Sequence, residues 1–247
     1  DRQPGPNRSH FFNNFNTNKK SIDLNFKDSG DLEVARRIAD WADVLVESFV
    51  PGNMAKYGLD YETLVERNPQ LVMMSTCMRG QTGPHRSYGG FGNQGAALAG
   101  LFSITGWPDR APVGPWGAYT DFIAPRFGVA AIMAALRHRQ MTGAGQYIDL
   151  SQIEAGIQFM GPLVSAADEL LVQNPGMDSL YLCPHGVYTA QDDVSYLAVA
   201  VESDAQWWNL AKVVGLGDEA AGWDFQQRVK NRGEIDRAIE HWVGNRR

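Results

Sequence analysis

Asp121 is the only acidic residue between Asp109 and Asp149, and it stands directly ahead of the apolar run from Phe122 to Leu136. A carboxylate at the mouth of an apolar helix caps it, pairs with a cation, or reacts. The first amide N–H groups of a helix need an oxygen acceptor, and Asp supplies one. Pro125 suits a first helical turn, so the spacing predicts Asp121 as an N-cap. The same ionised oxygen is also a nucleophile, and the two roles are compatible. Upstream, Gly89-Gly90-Phe91-Gly92 can bring backbone donors close to an anion without a Cβ in the way. Its loop, Arg79 to Gly92, also carries Gln81, His85, Arg86 and Tyr88. His85 and Arg86 can meet a substrate carboxylate, or serve only as loop residues. Cys183 and His185, two apart at a strand entry, either react or share a packed face.

These residues need a scaffold. Ser21 to Phe26 alternates as a strand does, and Asp28-Ser29-Gly30-Asp31 supplies a helix start ahead of Leu32, Val34, Ala35, Ile38 and Trp41. Asp43 to Phe49 is a continuous apolar run closed by Pro51-Gly52, the pattern of a strand buried on both faces. A short helix from Tyr61 to Arg67 and a strand from Leu71 to Cys77 repeat the theme, which predicts a parallel α/β sheet. Loops at the carboxyl ends of such strands bind ligands. Helices over Gln94 to Ile104 and Phe122 to Leu136, a strand over Gln146 to Leu150, and one long helix over Gln152 to Leu171 follow. At Gln173-Asn174-Pro175-Gly176 the character changes. His185 to Ala190 and Tyr196 to Val201 read as a hairpin around Gln191-Asp192-Asp193, and Ser203-Asp204 opens a helix. The last residues look charged and weakly patterned. The domain boundary falls there: a large domain over 1–175 and the start of a smaller one over 176–247.

The 247 residues carry a net charge of −6 and are 44% apolar, enough for a substantial core. This balance offers no basic surface for a phosphate backbone and argues against nucleic acid. No run reaches the roughly 18 to 20 apolar residues of a membrane helix. Cys77 and Cys183 form no CxxC pair and the five His residues no cluster, so two reduced thiols, no metal and a cytoplasmic setting are expected. The opening lacks an initiator Met and signal-peptide features. No GxGxxG follows a strand, which weakens a nicotinamide-linked dehydrogenase reading.

Six segments in register resemble the family III CoA-transferases, also called the CaiB/BaiF or formyl-CoA transferase family. They are Asn18-Lys19-Lys20-Ser21-Ile22-Asp23-Leu24, Asp43 to Gly52, Met54 to Leu59, Asn68-Pro69-Gln70-Leu71-Val72, Gly80-Gln81-Thr82-Gly83-Pro84 and Thr142-Gly143-Ala144-Gly145-Gln146. The resemblance implies a Rossmann-like parallel-sheet large domain, a smaller α+β domain, and interlocked homodimers in the full-length protein. It places the nucleophile at Asp121, after Gly117-Ala118-Tyr119-Thr120. It implies coenzyme A and acyl-CoA as substrates, with a carboxylic acid acceptor and no prosthetic group. The CoA contacts would fall at Leu24, Asn25, Phe26 and Lys27, at Ser48, Phe49 and Val50, at Lys56, and at Tyr88, Gly89, Gly90 and Phe91. Lys27 and Lys56 can equally be solvated surface charges.

The departures also carry meaning. The racemase branch places a His where Phe91 stands, and proton removal and return at an α-carbon needs a base on each face. The glycine-repeat loop of oxalate-specific members is replaced by Leu180-Tyr181-Leu182-Cys183-Pro184-His185-Gly186. The family's N-terminal strand-turn-helix and C-terminal return are not seen, so the chain is expected to be an internal fragment. Tyr88, Phe91, Trp107 and Trp116 hint at a bulky or aryl acid, or belong to the core. An intramolecular CoA isomerase, a racemase and a non-catalytic CoA-binding remnant stay open beside the transferase.

Overall fold

In the computed structural model, residues 5, 8–165 and 175–246 are described. The chain divides into two compact units, Asp1–Ser75 with Ala131–Asp149, and Thr76–Ala130 with Leu150–Arg247.

The first unit opens with α1 (His10–Phe15). Residues 21–25 form no strand, contrary to the alternation. Their neighbourhood explains it: the Asn25 N–H donates to Asp31 Oδ2 and the Asp28 N–H to the Asn25 carbonyl. Local turn bonds thus take backbone groups that a ladder would use. Leu24 and Phe26 still pack against the core. α2 (Ser29–Trp41) begins where expected, with Asp28 accepting from the N–H groups of Gly30 and Asp31. It buries Ala35 and Ala39, whereas Val34, Ile38 and Trp41 are exposed.

β1 (Val44–Glu47), β2 (Val72–Cys77) and β3 (Gln146–Ser151) make a three-stranded parallel sheet in the order β1-β2-β3. β1 and β2 run in parallel, Val44 opposite Val72 through Glu47 opposite Ser75. Central β2 buries Val72 through Ser75, as its apolar run predicted. β1 departs from expectation, because it is an edge strand and Val46 is 53% exposed. An apolar run cannot by itself distinguish a central strand from an edge. A 3₁₀ turn (Met54–Tyr57) and α3 (Tyr61–Val65), capped by Asp60, complete this core with Leu59, Leu64, Leu71 and Met73. Each such fully buried aliphatic side chain contributes about 1.5–3 kcal/mol.

In the second unit the predicted helix over 94–104 is two pieces, α4 (Gly92–Leu98) and a 3₁₀ turn (Leu101–Ser103), parted by Gly100 in a left-handed conformation. α5 (Tyr119–Thr142) begins in this unit and is longer than its apolar run. The single helix expected from Gln152 breaks at Met160 into α6 (Gln152–Phe159) and α7 (Gly161–Ser165); its remainder to 171 lies outside the described residues. β4 (His185–Thr189) and β5 (Tyr196–Ala200) form the antiparallel hairpin read from the sequence, His185 opposite Ala200 and Thr189 opposite Tyr196. α8 (Asp204–Val214) has the Ser203–Gln206 capping box.

The terminal stretch is more ordered than its charge suggested. It folds as α9 (Gly217–Ala221), α10 (Phe225–Lys230) and α11 (Arg232–Gly244). Ile235, Ile239 and Val243 recur every fourth residue and are buried with Trp207, Ala211 and Tyr188. Arg228, only 2% exposed, bonds the Cys183 carbonyl at 2.9 Å, Asp204 at 2.7 Å and the Trp223 carbonyl at 3.0 Å. Its buried guanidinium is therefore satisfied by two carbonyls and by Asp204, whose side chain lies at the surface. Among the described residues no helix is long and apolar enough to cross a membrane.

Candidate active site

α5 opens at Tyr119, three residues earlier than expected, so Asp121 lies in its first turn and is not its N-cap. Pro125 sits inside the helix and, having no N–H, leaves the Asp121 carbonyl without its i+4 donor. The Asp121 N–H itself bonds the Ala118 carbonyl at 2.9 Å. The side chain is exposed, and the positive end of the helix dipole favours its ionised form. Partial burial nevertheless raises its pKa above the ordinary carboxylate value, while a hydrogen bond with the Gln152 side chain pulls the other way.

Gln152 is the residue that sequence reasoning missed. It is the first residue of α6, straight after the carboxyl end of β3. Ser151, 4% exposed, fixes that corner: its hydroxyl donates to the Met78 carbonyl at 3.2 Å and accepts from the Glu154 N–H at 3.3 Å. The Ile153 N–H also reaches the Met78 carbonyl, at 3.2 Å. Gln152 is thereby held by the ends of two strands. The fully buried Thr120 hydroxyl lies 3.0 Å from the Gly92 carbonyl and 3.4 Å from Gln152 Oε1. With its oxygen toward Thr120, the amide presents its N–H to Asp121. The one available signal was position, a polar residue directly after a strand of a parallel sheet.

The glycine loop packs against the same turn. A Cβ on Gly92 would lie 2.7 Å from the Ala118 backbone, and one on Gly95 would lie 2.5 Å from Thr120 Oγ1. Only glycine allows α4 to approach residues 118–120 this closely. Tyr88, Gly89, Gly90 and Phe91 are all exposed, Phe91 by 75%. The Phe91 N–H bonds Gln94 Oε1. Tyr88 stacks on His85 at 5.5 Å and lies under Arg79, whose guanidinium carbon is 5.6 Å from its ring centre. Trp107 and Trp116 are exposed as well, so these aromatics are not core residues.

The other expected CoA contacts belong to the first unit. Leu24 and Phe26 pack in its core, with Phe26 edge-on to Tyr57 at 5.2 Å. That contact sets Asn25 and Lys27 beside the 3₁₀ turn that carries Lys56. Asn25, Lys27 and Lys56 are exposed, as are Ser48, Phe49 and Val50. The Phe49 N–H bonds Glu47 Oε2 at 2.7 Å, and the Asn53 N–H bonds the Val50 carbonyl at 3.1 Å.

Cys183 is fully buried, and burial raises its pKa. His185 Nδ1 contacts the Met177 carbonyl at 2.6 Å. A cavity of about 420 Å³ lined by Ile104, Leu163, Leu180, Phe225 and Arg232, among others, does not include Asp121 or Gln152 in its wall. Among the described residues no group of three or more His, Cys, Asp or Glu is placed to hold a metal ion.

Comparison with known proteins gives the family to which the chain belongs. The model of CoA-transferase family III matches residues 1–247. The chain is 30% identical over 234 residues to the succinyl-CoA–L-malate CoA-transferase alpha subunit of Chloroflexus aurantiacus, covering 92% of this chain and 54% of that protein. It is 31% identical over 235 residues to the succinate–glutarate CoA-transferase of Agrobacterium fabrum, covering 93% and 57%. A crystal structure of a CAIB/BAIF family protein from Brucella suis superposes with a TM-score of 0.81 at 29% identity, covering 93% of this chain and 61% of the other. The chain thus spans just over half the length of the curated relatives it matches.

Proposed function

Because the chain belongs to CoA-transferase family III, we propose that it moves CoA from an acyl-CoA donor to a carboxylic acid with Asp121 as the nucleophile. The observation that carries this reading is the exposed Asp121 carboxylate at a helix N-terminus, with the Gln152 side chain near enough to lower its pKa. An Asp121 oxygen attacks the thioester carbonyl; the C–S bond breaks, leaving a mixed anhydride and CoA thiolate. The thiolate attacks the aspartyl carbonyl, which releases the donor acid and forms an aspartyl-CoA thioester. The acceptor carboxylate then attacks that carbonyl, giving a second anhydride and thiolate. Attack of the thiolate on the acceptor's acyl carbon yields the new acyl-CoA and regenerates Asp121. Each addition places negative charge on a carbonyl oxygen, which nearby N–H donors stabilise.

CoA and acyl-CoA are the substrates in this reading, with no prosthetic group. In the first unit, the segments at Asn25–Lys27 and Ser48–Val50 and the turn at Lys56 are proposed CoA contacts, with the two ammonium groups as charges for phosphate. In the second, Tyr88 to Phe91 take that role. The two relatives are named for dicarboxylic acids, succinate with malate or glutarate, and dicarboxylates are therefore the first acceptors to test here. A cytoplasmic setting and a homodimer of the full-length protein belong to the same proposal. An intramolecular isomerase would use the same carboxylate; racemase chemistry is disfavoured by Phe91, which cannot move a proton.

The test is transfer of CoA from succinyl-CoA to a labelled second acid. Asp121→Ala is expected to abolish it while leaving the circular dichroism spectrum unchanged. Migration of the acyl group with no label entering the thioester pool would favour the isomerase, and undiminished transfer by the variant would remove Asp121 from the mechanism.

A further inference from the structure

Arg79 follows β2 by two residues, at the carboxyl end of the central strand, where parallel sheets bind ligands. Its Nε is buried and has no hydrogen-bond partner. No acidic side chain among the described residues pairs with it. Its guanidinium carbon lies 5.6 Å from the centre of the Tyr88 ring, which is stacked in turn on His85 at 5.5 Å. A half-buried guanidinium without a carboxylate is costly unless an anion completes it, and planar stacking fixes the direction of its fork.

The place of this group relative to the proposed nucleophile is bounded by the chain. Tyr88 is four residues from Gly92, at most about 14 Å of extended backbone. The Gly92 carbonyl is bonded at 3.0 Å by Thr120, the neighbour of Asp121. Met78, next to Arg79, would lie 3.3 Å from a Cβ on Gly90, and its carbonyl holds the start of α6. Arg79 and Asp121 therefore stand at two ends of one short, braced loop.

We propose that Arg79, stacked on Tyr88, is an anion-recognition site that binds a substrate oxyanion held away from the reacting carbonyl. This rests on the CoA-transfer reading. The shared chemistry is a carboxylate or phosphate taken by a guanidinium through paired N–H donors. Two sources supply it: the second carboxylate of a dicarboxylic acid, or a phosphate of CoA. Both Arg86 and His85 had stronger claims from sequence; the geometry gives His85 a stacking role and Arg79 the charge.

Binding of succinate, CoA and pantetheine is to be measured by calorimetry on the wild-type protein, Arg79→Gln and Arg79→Lys. Loss of the charge is expected to weaken one anion by about 10- to 100-fold. Arg79→Lys should restore part of the loss, because it keeps the charge but not the fork. A loss confined to succinate identifies the acceptor carboxylate; a loss confined to CoA, with pantetheine unchanged, identifies a phosphate. Affinities within twofold of wild type for all three in a folded Arg79→Gln protein would overturn the proposal. Because binding is read without turnover, the two readings separate. A protein that binds succinate through Arg79 yet transfers no CoA fails the transferase reading alone.

Discussion

At Asp121 two influences oppose each other: partial burial raises the carboxyl pKa and the Gln152 amide lowers it. In the proposed reaction the nucleophile is the carboxylate, so activity is expected above the folded pKa, and its loss is expected as pH falls through it. The ascending limb of kcat/KM should therefore lie above the range of a free Asp. Gln152→Leu removes the lowering partner and should move that limb to higher pH, with a fall in kcat of about tenfold, the value of one hydrogen bond to a charged group. Gln152→Glu should move it further, since a second carboxylate disfavours ionisation of the first. Arg126, five residues on, bonds the Phe122 carbonyl, and Glu154 on α6 is exposed; neither contributes to the Asp121 shift. A variant with reduced kcat and an unmoved limb would make Gln152 a packing residue only. Asp60 gives a separate test. Burial raises its pKa, hydrogen bonds from Thr63 lower it more, and the net shift is downward. Its capping contribution is present above the unfolded pKa and lost as pH falls. Asp60→Ala should cost about 1 kcal/mol at neutral pH and less in acid, read by urea unfolding.

At the scale of elements, the close approach of α4 to the start of α5 depends on two glycines. Gly92→Ala sets a methyl against the Ala118 backbone and should destabilise by about 1–3 kcal/mol. It should also reduce turnover, because Thr120, which orients Gln152, bonds the Gly92 carbonyl. Loss of stability without loss of activity would detach the loop from the site. Much of this was legible beforehand. β2, the hairpin and the Ser203 cap follow from apolar runs, alternation and capping chemistry within a few residues of each other. Three features were not. The segment at 21–26 alternates correctly, but side-chain bonds from Asp31 and Asn25 pre-empt its ladder. β1 has the composition of a buried strand, and only pairing makes it an edge. α11 hides its apolar stripe among charges, though Ile235, Ile239 and Val243 keep a four-residue spacing. In the site, Asp121 and the glycine loop were visible, because a lone carboxylate and a run of glycines stand out. Gln152 and Arg79 were not, since their roles depend on contacts across 31 and 9 residues of sequence that composition does not reveal.

For the molecule as a whole, the first unit holds an apolar cluster around Leu64, Leu71 and Met73, and the second holds two, around Ala96, Leu101 and Ile123 and around Trp207, Ile235 and Ile239. Trp207 is fully buried and donates its indole N–H to the Ala220 carbonyl at 2.9 Å. Trp207→Ala should cost about 3–5 kcal/mol, seen as a lowered unfolding midpoint. The functional account, by contrast, turns on one carboxylate. Incubation with succinyl-CoA and hydroxylamine, followed by mass spectrometry of the peptide containing Asp121, reads it most directly. An activated aspartyl carbonyl should be captured as a hydroxamate on Asp121, only when acyl-CoA is present. Sustained CoA transfer with Asp121 unmodified, or with the hydroxamate on another residue, would contradict the account.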